Sequence, residues 1–156
     1  MSAEKESPTE SPREAEIRHM DDLLQELRVT LPGVQVTFAF LLTVAFTDRF
    51  SGITAFQRNV YFAALFSTAL AIAFFIAPSI QHRILWRQGE RAQRLRMGNI
   101  LLIAGTILLA IGISCVIFLI ADVVYGRSLA VGATVAMVVV FLGLWYLLPL
   151  YRRMRG

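Results

Sequence analysis

Apolar residues gather into four runs along this chain, at Leu31–Phe46, Val60–Ile80, Ile100–Tyr125 and Leu129–Leu150, and polar residues collect in the gaps between them. A hydrocarbon core about 30 Å thick takes about 20 helical residues to cross. The last three runs reach that length. The first is short and carries Gln35, Thr37 and Thr43, so it spans only by borrowing from Leu23–Thr30 or from Thr47 onward. Stretches such as Ile100–Ile103 and Val138–Leu142 are continuous rather than alternating, which excludes barrel strands. Lipid offers no partner to a backbone amide, so each span must be a helix. Four helices use up nearly all of the chain and leave no room for a soluble catalytic domain.

The gaps carry the local signals. Residues 1–20 are rich in Glu, Ser and Pro and cannot bury enough surface to fold, which predicts a disordered cytoplasmic tail. Their order is not that of a cleavable signal, which starts basic and turns apolar. From Asp21 the pattern changes. Asp22 and Gln25 suit a helix start, and Leu23, Leu24, Leu27, Leu31 and Val34 share one face. This predicts an interfacial amphipathic helix that bends into the first span near Leu31, where Pro32 and Gly33 follow. A single kinked helix from Asp22 to Phe46 is the competing reading.

Thr54 and Gln57 have capping-box spacing, so the second span should start near Ala55. Phe50, Phe56, Tyr61 and Phe62 fit an aromatic belt at the membrane surface. The second span should end around Pro78. Beyond it Arg83, Arg87, Arg91 and Arg94 recur on one side of a basic linker, with Gly89 expected to break it. The third and fourth spans are joined by about four residues, Gly126 to Leu129, and so form an antiparallel hairpin.

Charge orients the set. Of the 15 Lys and Arg residues, twelve lie in the N-terminal segment, the second loop and the tail. Three, Arg49, Arg58 and Arg127, lie in the other two loops. The excess of basic residues marks the cytoplasmic side, which places both termini there. The high pI of about 9.8 therefore reflects topology and contact with anionic headgroups rather than nucleic-acid binding. A mean hydropathy of +0.62 agrees with a multi-pass membrane protein.

Candidate chemistry is sparse. Asp122 is the one charge well inside a predicted span, where an acid costs up to about 3 kcal/mol at mid-helix. It lies in the last turn of its helix, where the macrodipole disfavours an anion. Arg127 could pair with it, making it structural, or a held proton could make it a relay; the structural reading is preferred. Gln35 shares a face with Ala39 and Thr43 and is expected to make an interhelical hydrogen bond. Gly105 and Gly112 on the third span, and Gly132, Ala136 and Gly143 on the fourth, are expected to pack helices closely, within the chain or between copies. A single cysteine, Cys115, and two histidines, His19 and His82, leave no metal pair, haem ligation or cofactor to expect. No nucleophile-elbow, P-loop or zinc-protease pattern is present, so no enzyme is expected.

The runs LLQELRVTLPGVQVTFAFLLTVAFTDRF, FQRNVYF and PSIQHRILWR resemble a family of small actinobacterial integral membrane proteins of unknown function; the resemblance covers about Asp21 to Tyr125 and implies a bacterial plasma membrane. Glu26, Arg28, Gln35, Arg49, Gln57, Arg58, His82 and Arg83 fall at matching places. The resemblance implies a four-helix membrane protein and no catalytic residue. Its members sometimes carry a loose sodium–proton antiporter label, which would need more buried acids than Asp122 supplies. The expected fold is all-α, a four-span transmembrane bundle. The expected role is that of an accessory or structural membrane protein, self-associating or bound to a membrane partner. The alternative is an oligomeric proton or cation path using Asp122.

Overall fold

The computed structural model describes residues 12–84 and 91–155. All the secondary structure in these residues is helical: α1 (Pro12–Val44), a short 3-10 turn (Asp48–Gly52), α2 (Ala55–Ile84), α3 (Arg91–Tyr125), α4 (Arg127–Phe141), a π-helical stretch (Leu142–Leu147) and α5 (Leu148–Arg155). Four segments are long and apolar enough to cross a membrane: Leu27–Val44, Ala55–Gln81, Arg96–Tyr125 and Arg127–Arg155. The chain is an all-α membrane protein.

The centre of the bundle is the antiparallel pair α2 and α3. On α3, Gly98, Gly105 and Gly112 recur every seven residues and all three are buried. A β-carbon on Gly105 would lie 2.7 Å from the Phe75 ring, one on Gly112 would lie 2.5 Å from Thr68 Oγ1, and one on Gly98 would lie 3.9 Å from Pro78. Gly105 and Gly112 are thus the holes for Phe75 and Thr68, seven residues apart on both helices, while Gly98 makes an ordinary contact with Pro78. The α2 side of the seam follows the same heptad, with Tyr61, Ala64, Thr68, Ala71 and Phe75 all buried. A seven-residue repeat keeps one seam facing its partner along a gently supercoiled pair, and small residues let backbones approach in lipid. The hydroxyls in this seam bond to their own helices. Thr68 donates to the Ala64 carbonyl at 2.7 Å, Ser114 to Ala110 at 2.7 Å, and Ser67 to Ala63. The buried polar residues Ser67, Thr68 and Ser114, set among apolar neighbours, are therefore satisfied within their own helices.

The outer helices lean on this pair. Leu27, Val34 and Leu41 of α1 are each 3% exposed, and they pack against α2 and α3. Tyr61 of α2 donates from its hydroxyl to the Leu41 carbonyl at 2.7 Å, which ties the end of α1 down. The expected interfacial helix and bend are replaced by one continuous helix through Pro32, the competing reading. The apolar face of Leu27, Leu31 and Val34 goes to protein packing instead of the membrane surface. The described part of α1 begins at Pro12; residues 1–11, most of the expected tail, lie outside the described residues. Proline suits this first position because the opening turn has no use for its missing N–H.

The second apolar span ends at Gln81, close to the expected end, while the helix itself runs through Pro78 to Ile84; Pro78 meets Gly98 on α3. One further expectation is corrected. The α3–α4 connection is Gly126 alone, not four residues. Gly126 has φ 91° and ψ 170°, a region that only glycine enters cheaply. Its N–H donates to the Ala121 carbonyl at 3.1 Å, and its carbonyl accepts from Ala130 at 3.2 Å. Ala130 is completely buried by the fold-back.

The fourth span changes register once. On α4 the half-buried side runs Thr134, Met137 and Phe141, at α-helical spacing. Within the π-helical stretch, Tyr146 is half-buried and Trp145 is exposed. The extra residue in the wide turn brings Tyr146 round to α3, where its hydroxyl lies 3.1 Å from Thr106 Oγ1. Pro149 follows directly. A proline in a regular helix crowds the carbonyl four residues back, and a π-turn just before it makes room.

Packing at the glycine seam makes a direct prediction. Gly112→Ala should lower stability by about 1–3 kcal/mol through overpacking, measured by reversible unfolding in bicelles. Gly132→Ala, with nothing within 4 Å of its added β-carbon, should be neutral or up to about 1 kcal/mol stabilising. The opposite order would refute the seam.

Candidate functional site

At the end of the bundle where α2 begins and α3 stops, polar groups from three helices converge. Thr54 and Gln57 form the reciprocal cap that their spacing predicts. The Gln57 amide N–H donates to Thr54 Oγ1 at 3.2 Å, and the Thr54 N–H donates to Gln57 Oε1 at 2.9 Å. Using its carbonyl oxygen in the cap turns the amide nitrogen of Gln57 outward from the helix end. That Nε2 donates to Asp122 Oδ2 at 2.8 Å. The other carboxylate oxygen, Oδ1, accepts from Arg127 Nε at 3.0 Å. One side chain therefore caps α2 and holds the last turn of α3.

Arginine adds an aromatic layer. The Arg127 guanidinium carbon stands 4.4 Å from the Phe56 ring centroid and 5.6 Å from that of Phe118. The two rings meet edge to face at 5.9 Å. Phe56 precedes Gln57 on α2, and Phe118 lies one turn before Asp122 on α3. The cluster Gln57, Asp122, Arg127, Phe56 and Phe118 thus joins α2, α3 and α4 within one turn of each. Asp122 is well covered, with its side chain 7% exposed, while that of Arg127 is 58% exposed. The exposed half of this ion pair is screened by solvent and headgroups, so its strength is modest; the covered Gln57 link carries more of the fixing.

Helix ends explain why the acid is tolerated. Its own helix, α3, ends near it and disfavours a negative charge. The antiparallel order brings the N-termini of α2 and α4 to the same place, and both favour one. Two positive helix ends and a guanidinium offset one negative end.

The remaining candidates are dispersed. Gln35 lies on the exposed side of α1, beside the buried Val34, and makes no interhelical hydrogen bond among the described residues. Gly105 and Gly112 belong to the α2–α3 seam. Gly132 and Ala136 are exposed, and Gly132 and Gly143 have open space where a side chain would go. The backbone of residues 85–90 and the side chains of Arg83, Arg87, Arg91 and Arg94 lie outside the described residues. Among the described residues no group of three or more His, Cys, Asp or Glu side chains could hold a metal ion. Cys115 is half-buried within the packing around Leu119 and Ala64. On the other side of α3 from Asp122, an open apolar groove of about 260 Å³ lies between Phe50 and Ile53 of the first loop and Val123 and Val124.

Two features were missed in the sequence. Gln57 was assigned to capping alone, and its second role had no sequence signal, since Asp122 is 65 positions away. Gly98 was overlooked, although its seven-residue spacing from Gly105 and Gly112 was a readable signal.

A family model matches residues 9–149. The chain belongs to DUF6328, a family of unknown function. No curated protein and no solved structure matches it. Membership agrees with the four-helix membrane architecture and assigns no site, so the convergence at Asp122 has to be read from its own chemistry.

The dual use of Gln57 is separable. Thr54→Ala removes only the cap and should cost about 1 kcal/mol. Gln57→Ala leaves the Gln57 backbone N–H on Thr54 Oγ1 but removes the Oε1 half of the cap together with the link to α3, and should cost about 0.6 kcal/mol more, the mean for an interhelical hydrogen bond in a membrane. Chemical unfolding in bicelles measures both; equal losses would mean that the link adds nothing.

Proposed function

We propose that this chain is a non-enzymatic, multi-pass protein of the bacterial plasma membrane that acts as an accessory or structural component through helix and lipid contacts. Both termini face the cytoplasm, following the distribution of basic residues. Anionic headgroups meet the basic cytoplasmic segments. Contact with the bilayer itself follows from the four apolar helices.

The observation that carries this reading is the state of Asp122. It is the only carboxylate within the four spans. A proton or cation relay needs an oxygen that is free to exchange its partner along a polar path. Both oxygens of Asp122 are already engaged, one by Gln57 and one by Arg127, and the nearby groove is apolar. The arrangement suits a fixed joint between helices better than a transport step. Two long faces, on α1 and on the fourth span, are left for other contacts.

Flux measurements separate this reading from the transport alternative. Proteoliposomes holding the wild type should show no proton or sodium flux above empty vesicles, and Asp122→Asn at matched incorporation should be the same. Wild-type flux that disappears in Asp122→Asn would overturn the proposal and make Asp122 a relay group.

A further inference from the structure

The exposed face of α1 carries a polar group that no other described residue answers. Pro32, Gln35, Ala39 and Leu42 are spaced three, four and three residues apart, and all four are exposed, as is Phe46 just beyond the helix end. Gln35 sits near the centre of the Leu27–Val44 span, too deep for its side chain to reach the membrane surface. Its polar neighbours solve the same problem within the helix. Thr37 Oγ1 donates to the Gly33 carbonyl at 3.1 Å, and Thr43 Oγ1 to Ala39 at 3.0 Å. A hydroxyl can bond back to its own helix in this way. The longer amide of Gln35 makes no such bond, although it carries two donors and an acceptor. In hydrocarbon an unanswered amide costs several kcal/mol.

We propose that this face of α1 is where a second copy of the chain docks, with Gln35 bonded to Gln35 of the other copy across a two-fold axis along the membrane normal. The proposal deepens the reading above, on which it rests, by naming the partner. Three observations select this occupant. A primary amide is both donor and acceptor, so it satisfies its own kind, as a single-sign charge would not. Two copies inserted in the same orientation bring residue 35 to the same depth, and an isologous contact pairs each residue with its counterpart. Alternating three- and four-residue spacing is the seam of a parallel two-helix contact, in which one buried amide sets the register. Small Ala39, one turn from Gln35, lets the backbones approach. The buried side of α1, Leu27, Val34 and Leu41, is already committed to α2 and α3, so docking requires no rearrangement of the fold.

Single-molecule photobleaching in lipid bilayers at rising protein density tests this. The wild type should pass from one-step to two-step bleaching. Gln35→Leu should raise the density for half-dimerisation about tenfold, the effect of losing two interhelical hydrogen bonds, while circular dichroism stays unchanged. Gln35→Asn, which keeps an amide, should recover part of the loss. In a Cys115→Ser background that keeps Gln35, Ala39→Cys should form a disulfide-linked dimer faster than Phe40→Cys, which points about 100° away. If the wild type stays monomeric at every density, or if Gln35→Leu dimerises like the wild type, the proposal is overturned. If Gly132→Leu weakens association and Gln35→Leu does not, this docking face is wrong while the contact-based role stands on the fourth span. Ion flux through the wild type would instead remove that role and leave the Gln35 contact to be judged by its own dimerisation data.

Discussion

Close approach of α2 and α3 is the constraint on which the rest of the structure depends. Lipid tails are as apolar as leucine, so burying apolar surface between helices gains little, and packing density has to supply the cohesion. Gly105 and Gly112 provide it by removing side chains where Phe75 and Thr68 arrive. The serine and threonine hydroxyls of the seam bond to their own backbones and need nothing from the partner helix. The pair then presents two flanks, and α1 and α4 lie on them.

A seam of glycines and methyl groups fixes distance better than it fixes sliding. The polar cluster at one end supplies the stop. Gln57 is placed by its own helix cap, Asp122 by the last turn of α3, and Arg127 by the single-residue turn at Gly126. Their convergence follows from helix lengths and from the antiparallel order, which sets the beginnings of α2 and α4 beside the end of α3. The acid that looks costly in isolation lies where two positive helix ends meet. On this account it is a joint, and the Gln35 face of α1 is the open surface at which we propose a second copy docks.

Much of this was legible in the residues. The four spans, the start of α2 at Ala55, the α3–α4 hairpin and the packing role of Gly105 and Gly112 all come from periodicity and residue size, which are local. The apolar face of Leu27, Leu31 and Val34 was also visible, but its destination was not, because membrane surface and protein neighbour look alike to a sequence. Pro32 suggested a break that packing overrides. The shift to Tyr146 depends on a wide turn that no composition signals. Gln57 shows the limit most clearly. Its partner in the cap lies three residues away and was found; its partner on α3 is close only in three dimensions.

The central claim is that Gln57 and Asp122 act as one joint between α2 and α3. A double-mutant cycle measures this most directly, with Gln57→Ala, Asp122→Ala and the double variant unfolded reversibly in bicelles of one lipid composition. The account predicts that the double variant loses clearly less stability than the two single losses combined, since either change alone breaks the same bond. Losses that simply add would contradict it, and would leave the two residues as neighbours without a shared role.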